Sequence, residues 1–168
     1  MSAGEPDDDI PVLNGAASAT PQELRLDLPA VHSAARMARH LVRQFARAGG
    51  LTGPELDNLV LVADELLSNA VDHGGGEAAM DETDLRKDVR MRLVLTVVRE
   101  GWDLEVGDEG GGDPQELQEV MAQRDLPDLD DERGRGFYLL ARMVDSLEVE
   151  KTSDGRGLLF RAVRRYGS

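Results

Sequence analysis

Polar and apolar positions along this chain first alternate and then settle into helical spacing. Glu23-Leu24-Arg25-Leu26-Asp27-Leu28 alternates strictly, which predicts a strand with one buried face. Beyond it Val31, Ala34, Ala35, Ala38, Leu41, Val42 and Phe45 recur at i, i+3 and i+4 and predict a helix to about residue 48. Asp27 is the expected cap of that helix, with Pro29 in its first turn. Arg36, Arg39, Arg43 and Arg47 form a basic stripe along it, and Gly49-Gly50 ends it. Thr52, Pro54 and Glu55 read as the start of a second helix, with Glu55 at capping-box distance from Thr52. Its inward positions are Leu59, Val60, Ala63, Leu66, Leu67, Ala70 and Val71, and the glycine run 74–76 stops it.

A polar, acidic loop is expected over 74–87. Residues 89–98 alternate again, with Val89, Met91, Leu93 and Leu95 on one face. A short turn at 99–101 then returns the chain through 102–106, which predicts an antiparallel hairpin. Residues 107–112 are glycine-rich. Residues 113–133, with Pro114, Pro127 and the acidic run 128–132, read as a long lid-like loop. Gly134-Arg135-Gly136 opens a helix over 137–145, with Leu139, Leu140, Met143 and Val144 inward. Two strands, 146–151 and 158–163, flank a turn at 153–157. Residues 1–22 have the Gly, Pro and Asp content of a disordered acidic tail, leaving one domain over 23–168. This order predicts an α+β two-layer sandwich, a mixed, mainly antiparallel sheet with helices on one face.

Composition narrows the function classes. The chain has 168 residues and a formal net charge of -14, so it lacks the basic surface that neutralises phosphates in a direct nucleic-acid binder or docks on an anionic membrane. Aromatics are 4%, so the core must be mostly Leu, Val and Ala. There is no cysteine, which removes disulfides and thiolate metal sites. No apolar run is long enough to span a bilayer, and the acidic N-terminal stretch does not read as a signal peptide. A cytoplasmic location is the expectation.

Three polar features stand out against this background. Glu65 and Asn69 are spaced i, i+4 on the second helix, and His73 continues the line one turn on. Asp108-Glu109-Gly110-Gly111-Gly112 ends a strand, and Gly134-Arg135-Gly136 opens a helix after the lid-like stretch. Each has a use if the ligand is a nucleotide. Glycines at a helix start let the backbone approach phosphates, which the helix N-terminus favours. Asn69 offers a neutral oxygen to Mg²⁺, and Glu65 can take a proton from an attacking hydroxyl or water. Asp108 can accept from the exocyclic amine of a base, and the glycines after it let a flat base lie on the backbone. Taken singly, each feature is also an ordinary solvated face or turn; the conjunction in this order is what carries the reading.

That conjunction resembles the GHKL ATPase superfamily (gyrase, chaperone, histidine-kinase and mismatch-repair type) over residues 24–163. Glu65-Leu66-Leu67-Ser68-Asn69-Ala70-Val71-Asp72-His73-Gly74 is similar to its N box, Asp108-Glu109-Gly110-Gly111-Gly112 to its Asp-x-Gly-x-Gly box, and Gly134-Arg135-Gly136-Phe137 to its last glycine box. Within it, the chain resembles the bacterial anti-sigma-factor serine/threonine kinases of the RsbW and SpoIIAB type, which also place a strand and a long helix before the N box. The resemblance implies the Bergerat fold, ATP/ADP and Mg²⁺ as cofactors, Glu65 as general base, Asn69 as metal ligand and Asp108 as adenine contact. Gly110 and Gly112 would shape the base pocket, while Gly134, Arg135 and Gly136 would hold phosphates, with His73 beside them. Some members carry a phosphate-contacting arginine two residues before the first glycine of the last box; here that residue is Glu132, and Arg133 or Arg135 is its substitute. The implied activity is phosphorylation of a STAS-type anti-sigma-factor antagonist in a partner-switching pathway of transcription regulation, with a sigma factor as the other partner. A homodimer through the first strand and helix is a further expectation. The alternatives are a nucleotide-sensing interaction module without kinase activity and a histidine-kinase-type catalytic domain.

Overall fold

The computed structural model describes residues 20–74, 89–110, 112–123, 125, 128 and 130–166. The expected loop over 75–87 and the body of the expected tail lie outside these residues. The described elements are β1 (Gln22–Pro29), α1 (His32–Ala48), α2 (Gly53–Gly74), β2 (Arg90–Val98), β3 (Gly101–Gly107), α3 (Pro114–Ala122), α4 (Glu132–Met143), β4 (Ser146–Lys151) and β5 (Leu158–Arg165). Five strands form one sheet in the order β1-β2-β3-β5-β4, and every neighbouring pair is antiparallel. The expected α+β sandwich is what forms.

Alternation along the strands sends one row of side chains under the helices. Met91, Leu93, Leu95 and Val97 of β2, Trp102, Leu104 and Val106 of β3, and Leu158, Phe160 and Ala162 of β5 are all buried. The helices close over this face. Small residues on α1, Ala34, Ala35, Ala38 and Ala46, let it lie tightly against α2. Around α2, Leu56, Leu59, Val62, Ala63, Leu66, Leu67, Ala70 and Val71 are all buried, so this helix is the centre of the helical layer. It emerges from the core only along a narrow line that includes Glu65.

The structure moves several expected boundaries. β1 runs on through Pro29 and α1 begins at His32 with no side-chain cap on Val31, so Asp27 does not cap it. Asp27 instead faces β2, where Arg90 donates to its carboxylate at 2.9 Å, and its pKa is held down by that hydrogen bond first and by the Arg90 and Arg92 charges. Glu55, expected to close a capping box, accepts from Arg164 of β5 at 3.2 Å. The stretch 113–133 is not a structureless lid. It contains α3, capped by Asp113 and anchored by buried Leu117 and by a 2.8 Å hydrogen bond from Gln118 Nε2 to the Val149 carbonyl. α4 starts at Glu132 rather than 137, because Asp131 supplies a side-chain cap that the expected boundary overlooked. Leu139, expected to face inward, is 50% exposed, while Phe137, Leu140 and Val144 pack inward.

Candidate active site

The line of polar residues on α2 and the first turns of α4 face each other across a cavity of about 180 Å³. Glu65, Ser68, Asn69, Asp72 and His73 line one wall, and Glu132, Gly136, Phe137 and Leu140 the other. The helical spacing that predicted a shared face for Glu65, Asn69 and His73 therefore places all three in one cleft. Glu65 Oε2 lies 3.7 Å from where a Cβ on Gly136 would sit. Burial is the main reason that the Glu65 pKa is raised, and the neighbouring Asp64 charge adds to it. Asn69 Nδ2 is buried with no hydrogen-bond partner, a polar atom in want of a ligand or water. At the rim, His32 Nε2 of α1 lies 3.1 Å from Asp72 Oδ1.

The start of α4 differs from its expected form. Gly134 and Gly136 sit inside the helix, not before it. Gly134 N–H donates to Asp131 Oδ1 at 2.8 Å and Arg135 N–H to the Asp131 carbonyl at 3.0 Å, so the chain's own carboxylate occupies the helix N-terminus. Arg135 is half-buried but is not part of the cavity wall, and the side chain of Arg133 lies outside the described residues. Glu132, standing where the resemblance expects an arginine, contributes a third carboxylate to the wall besides Glu65 and Asp72.

Asp108 belongs to a separate cluster. It is the one buried charged residue among those described, 4% exposed, and it does not line the cavity. Its Oδ1 accepts from Gly110 N–H and from Leu158 N–H, both at 3.0 Å, and its own N–H donates to the Leu158 carbonyl at 3.0 Å. A Cβ on Gly112 would come within 3.0 Å of Leu158 Cδ1. Asp108, Gly110 and Gly112 thus converge on Leu158, whose place in the sequence signals only a strand. In the sequence Gly157 is only part of a turn. A Cβ there would stand 1.8 Å from the Asp108 carbonyl oxygen, so no other residue fits. The signal that could have marked it is a second glycine, after Gly155, closing a five-residue turn where one would suffice. Phe137 lines the cavity and stacks on Phe160 of β5, centroids 5.0 Å apart and planes 11° from parallel.

Donor chemistry in the cavity suits a hydrated cation only with help. Among the described residues no group of three or more His, Asp or Glu is placed to hold a metal by itself. Asn69 with one carboxylate matches the sparse protein ligation of Mg²⁺, which completes its shell with phosphate oxygens and water. Among the described residues no helix is long and apolar enough to cross a membrane.

Comparison with known proteins bears on the fold and the family. No curated protein matches the chain. Among solved structures, the SiaB–SiaC complex from Pseudomonas aeruginosa aligns with a TM-score of 0.57 and 18% identity, over 83% of this chain and 89% of that one. The RsbU and RsbW domains of Rv1364c from Mycobacterium tuberculosis align with a TM-score of 0.55 and 19% identity, over 86% of this chain; the chain spans 32% of the length of that protein. At these identities the likeness is one of fold. A family model described as the histidine kinase-like ATPase domain matches residues 28–162, which takes in both motif clusters and the sheet except most of β1 and the end of β5. The chain belongs to the histidine kinase-like ATPase domain family.

Proposed function

We propose that the protein binds ATP and ADP with Mg²⁺ and acts as an anti-sigma-type serine/threonine protein kinase in a partner-switching pathway. The observation that carries this reading is the placement of Glu65, Asn69 and Gly136 around one cavity. In the proposed reaction the phosphate end of the nucleotide enters that cavity, and Asp108 receives the adenine amine. At about 180 Å³ the cavity is below the ~300–1,000 Å³ of whole-ligand sites, which agrees with its taking the phosphates alone. Asn69 would hold Mg²⁺, which neutralises charge on the phosphoryl group in flight. Glu65 accepts the proton of the attacking Ser or Thr hydroxyl, and its raised pKa makes it a better base near neutral pH.

The structural neighbour solved as a complex, SiaB with SiaC, supports a protein as the second substrate. For this chain that substrate is an anti-sigma-factor antagonist, and a sigma factor is the alternate partner. β1 lies at one edge of the sheet, which suits the homodimer expected through β1 and α1. The predicted basic stripe of α1 is partly spent within the chain: Arg39 pairs with Asp64 at 3.1 Å and Arg43 with Asp57 at 3.4 Å. One observation favours the second reading, a nucleotide-sensing module without transfer. Three carboxylates and no arginine or lysine line the described cavity wall, an unfavourable seat for a developing phosphoryl charge without the metal. Labelled ATP with a panel of STAS-type proteins separates the two. Labelled Ser or Thr on one of them is the expected result; binding of nucleotide with no transfer to any of them supports the sensing module.

A further inference from the structure

Gly157 and Leu158 hold Asp108 from outside the motifs that name the site. Asp108 leaves β3 beside the start of β5, and the two backbones are tied by the Asp108 N–H to Leu158 carbonyl bond at 3.0 Å. The Leu158 N–H then fixes the carboxylate at 3.0 Å. This approach is so close that a Cβ on Gly157 would meet the Asp108 carbonyl oxygen at 1.8 Å and its carbonyl carbon at 2.7 Å. Gly157 is itself positioned by Thr152: its N–H donates to Thr152 Oγ1 at 3.0 Å, and Thr152 N–H donates to the Gly157 carbonyl at 2.9 Å. The same hydroxyl donates to Asp154 Oδ1 at 2.6 Å, which also accepts from Arg156 N–H at 3.0 Å. The β4–β5 turn is therefore a hydrogen-bonded brace whose last residue presses on the backbone of Asp108.

We propose that this brace sets base selectivity: Gly157 and the Leu158 amide are positioning elements that aim the Asp108 carboxylate at the adenine amine. The proposal rests on the reading of Asp108 given above. Two N–H donors on Oδ1 define how the carboxylate is turned. Discrimination between bases depends on that orientation, because an acceptor facing an amine favours adenine and the same acceptor facing a guanine carbonyl is repelled. Placing a methyl group at 157 requires the Asp108 backbone to retreat by more than about 1 Å, which stretches the Leu158 N–H contact beyond hydrogen-bond range. The phosphate end, lined by α2 and α4, is untouched by this change.

The test compares the full-length wild type with Gly157→Ala by calorimetric titration with Mg·ATP, Mg·GTP and Mg·triphosphate. In Gly157→Ala the affinity for ATP should fall about tenfold or more toward that for GTP, with triphosphate affinity unchanged. Equal loss for all three ligands would mean general damage to the fold and would overturn the proposal, as would an unchanged ATP-to-GTP ratio. If Gly157→Ala does not fold, Thr152→Val removes the hydroxyl that seats Gly157 and should lower the ATP-to-GTP ratio several-fold; an unaltered ratio there overturns the proposal too. A wild type that binds no nucleotide refutes the functional reading itself and this inference with it. A wild type that prefers ATP while both variants keep that preference refutes only the inference.

Discussion

Asp108→Asn separates what this residue does for the fold from what it does for a ligand. Asn is nearly isosteric, so its carbonyl oxygen can still accept from Gly110 N–H and Leu158 N–H at the 3.0 Å separations now present. Both bonds lose charge assistance. Hydrogen bonds to charged groups contribute about 1.5–3 kcal/mol against about 1 for neutral ones, so the two together weaken by roughly 1–4 kcal/mol. Removing a buried charge returns part of that, leaving a net destabilisation of about 1–2 kcal/mol. For a domain of this size, that lowers Tm by about 2–8 °C. Binding should suffer more. The amide nitrogen sets a donor against the donor of an adenine amine, which costs about 2–4 kcal/mol, or roughly 30- to 1,000-fold in Kd. The assay is calorimetric titration with Mg·ATP and Mg·triphosphate at a temperature well below the variant's Tm, with a thermal melt of each protein. ATP affinity should collapse while triphosphate affinity holds. A variant that melts lower and binds ATP as tightly as wild type would show that Asp108 is only a structural bracket between Gly110 and Leu158.

Glu65→Gln should retain nucleotide binding and slow phosphoryl transfer by roughly 10²-fold or more, read as initial rates with a labelled antagonist. Because the Glu65 pKa is raised above the ordinary 4.5, its ionised form is disfavoured in the folded state. Glu65 therefore weighs against stability once pH rises through its folded pKa, so Glu65→Gln should melt no lower than wild type at pH 7, with any gain disappearing below about pH 4.5; a lower Tm at pH 7 contradicts the assigned burial. Asp131→Ala removes the α4 cap and should destabilise the fold by about 0.5–2 kcal/mol in chemical denaturation, whereas Asp131→Asn should recover most of that. Tyr166→Phe should leave Tm unchanged or raise it, because the hydroxyl is buried without a partner and its pKa is pushed up to about 12, by burial first and the Glu55 charge second; a loss above about 1 kcal/mol would reveal a hydrogen bond. Limited proteolysis should spare Pro114–Ala122 even without nucleotide, since Leu117 is buried and Gln118 is tied to β4; rapid cleavage within α3 would show that the helix is not docked.

Local periodicity was enough to determine the five strands, the first two helices and most of their buried faces, but not α3 or the outward turn of Leu139. Alternation in 23–28 and 89–98 and the apolar spacing of α2 each specify a side that must leave water, and hydrophobic burial acts on that pattern whatever the neighbours are. The shared face of Glu65, Asn69 and His73 follows from helical geometry alone. Where the expected boundaries failed, a contact across the chain outbid a local signal. Asp27 reads as a helix cap until Arg90 is placed opposite it by the β1–β2 register, and Glu55 reads as a capping-box residue until β5 brings Arg164 to it. The cap on α4 was local yet overlooked, because an acidic run before two glycines reads equally well as loop. Only the tertiary structure joined α2 to α4 as the walls of a cavity and brought β5 to the end of β3. That second meeting explains Gly157: in the sequence it is one glycine of a turn, 49 residues after Asp108, and its necessity exists only once the two backbones lie in contact. Periodicity encodes which way a side chain faces; what it then meets depends on strand order, which no local stretch contains.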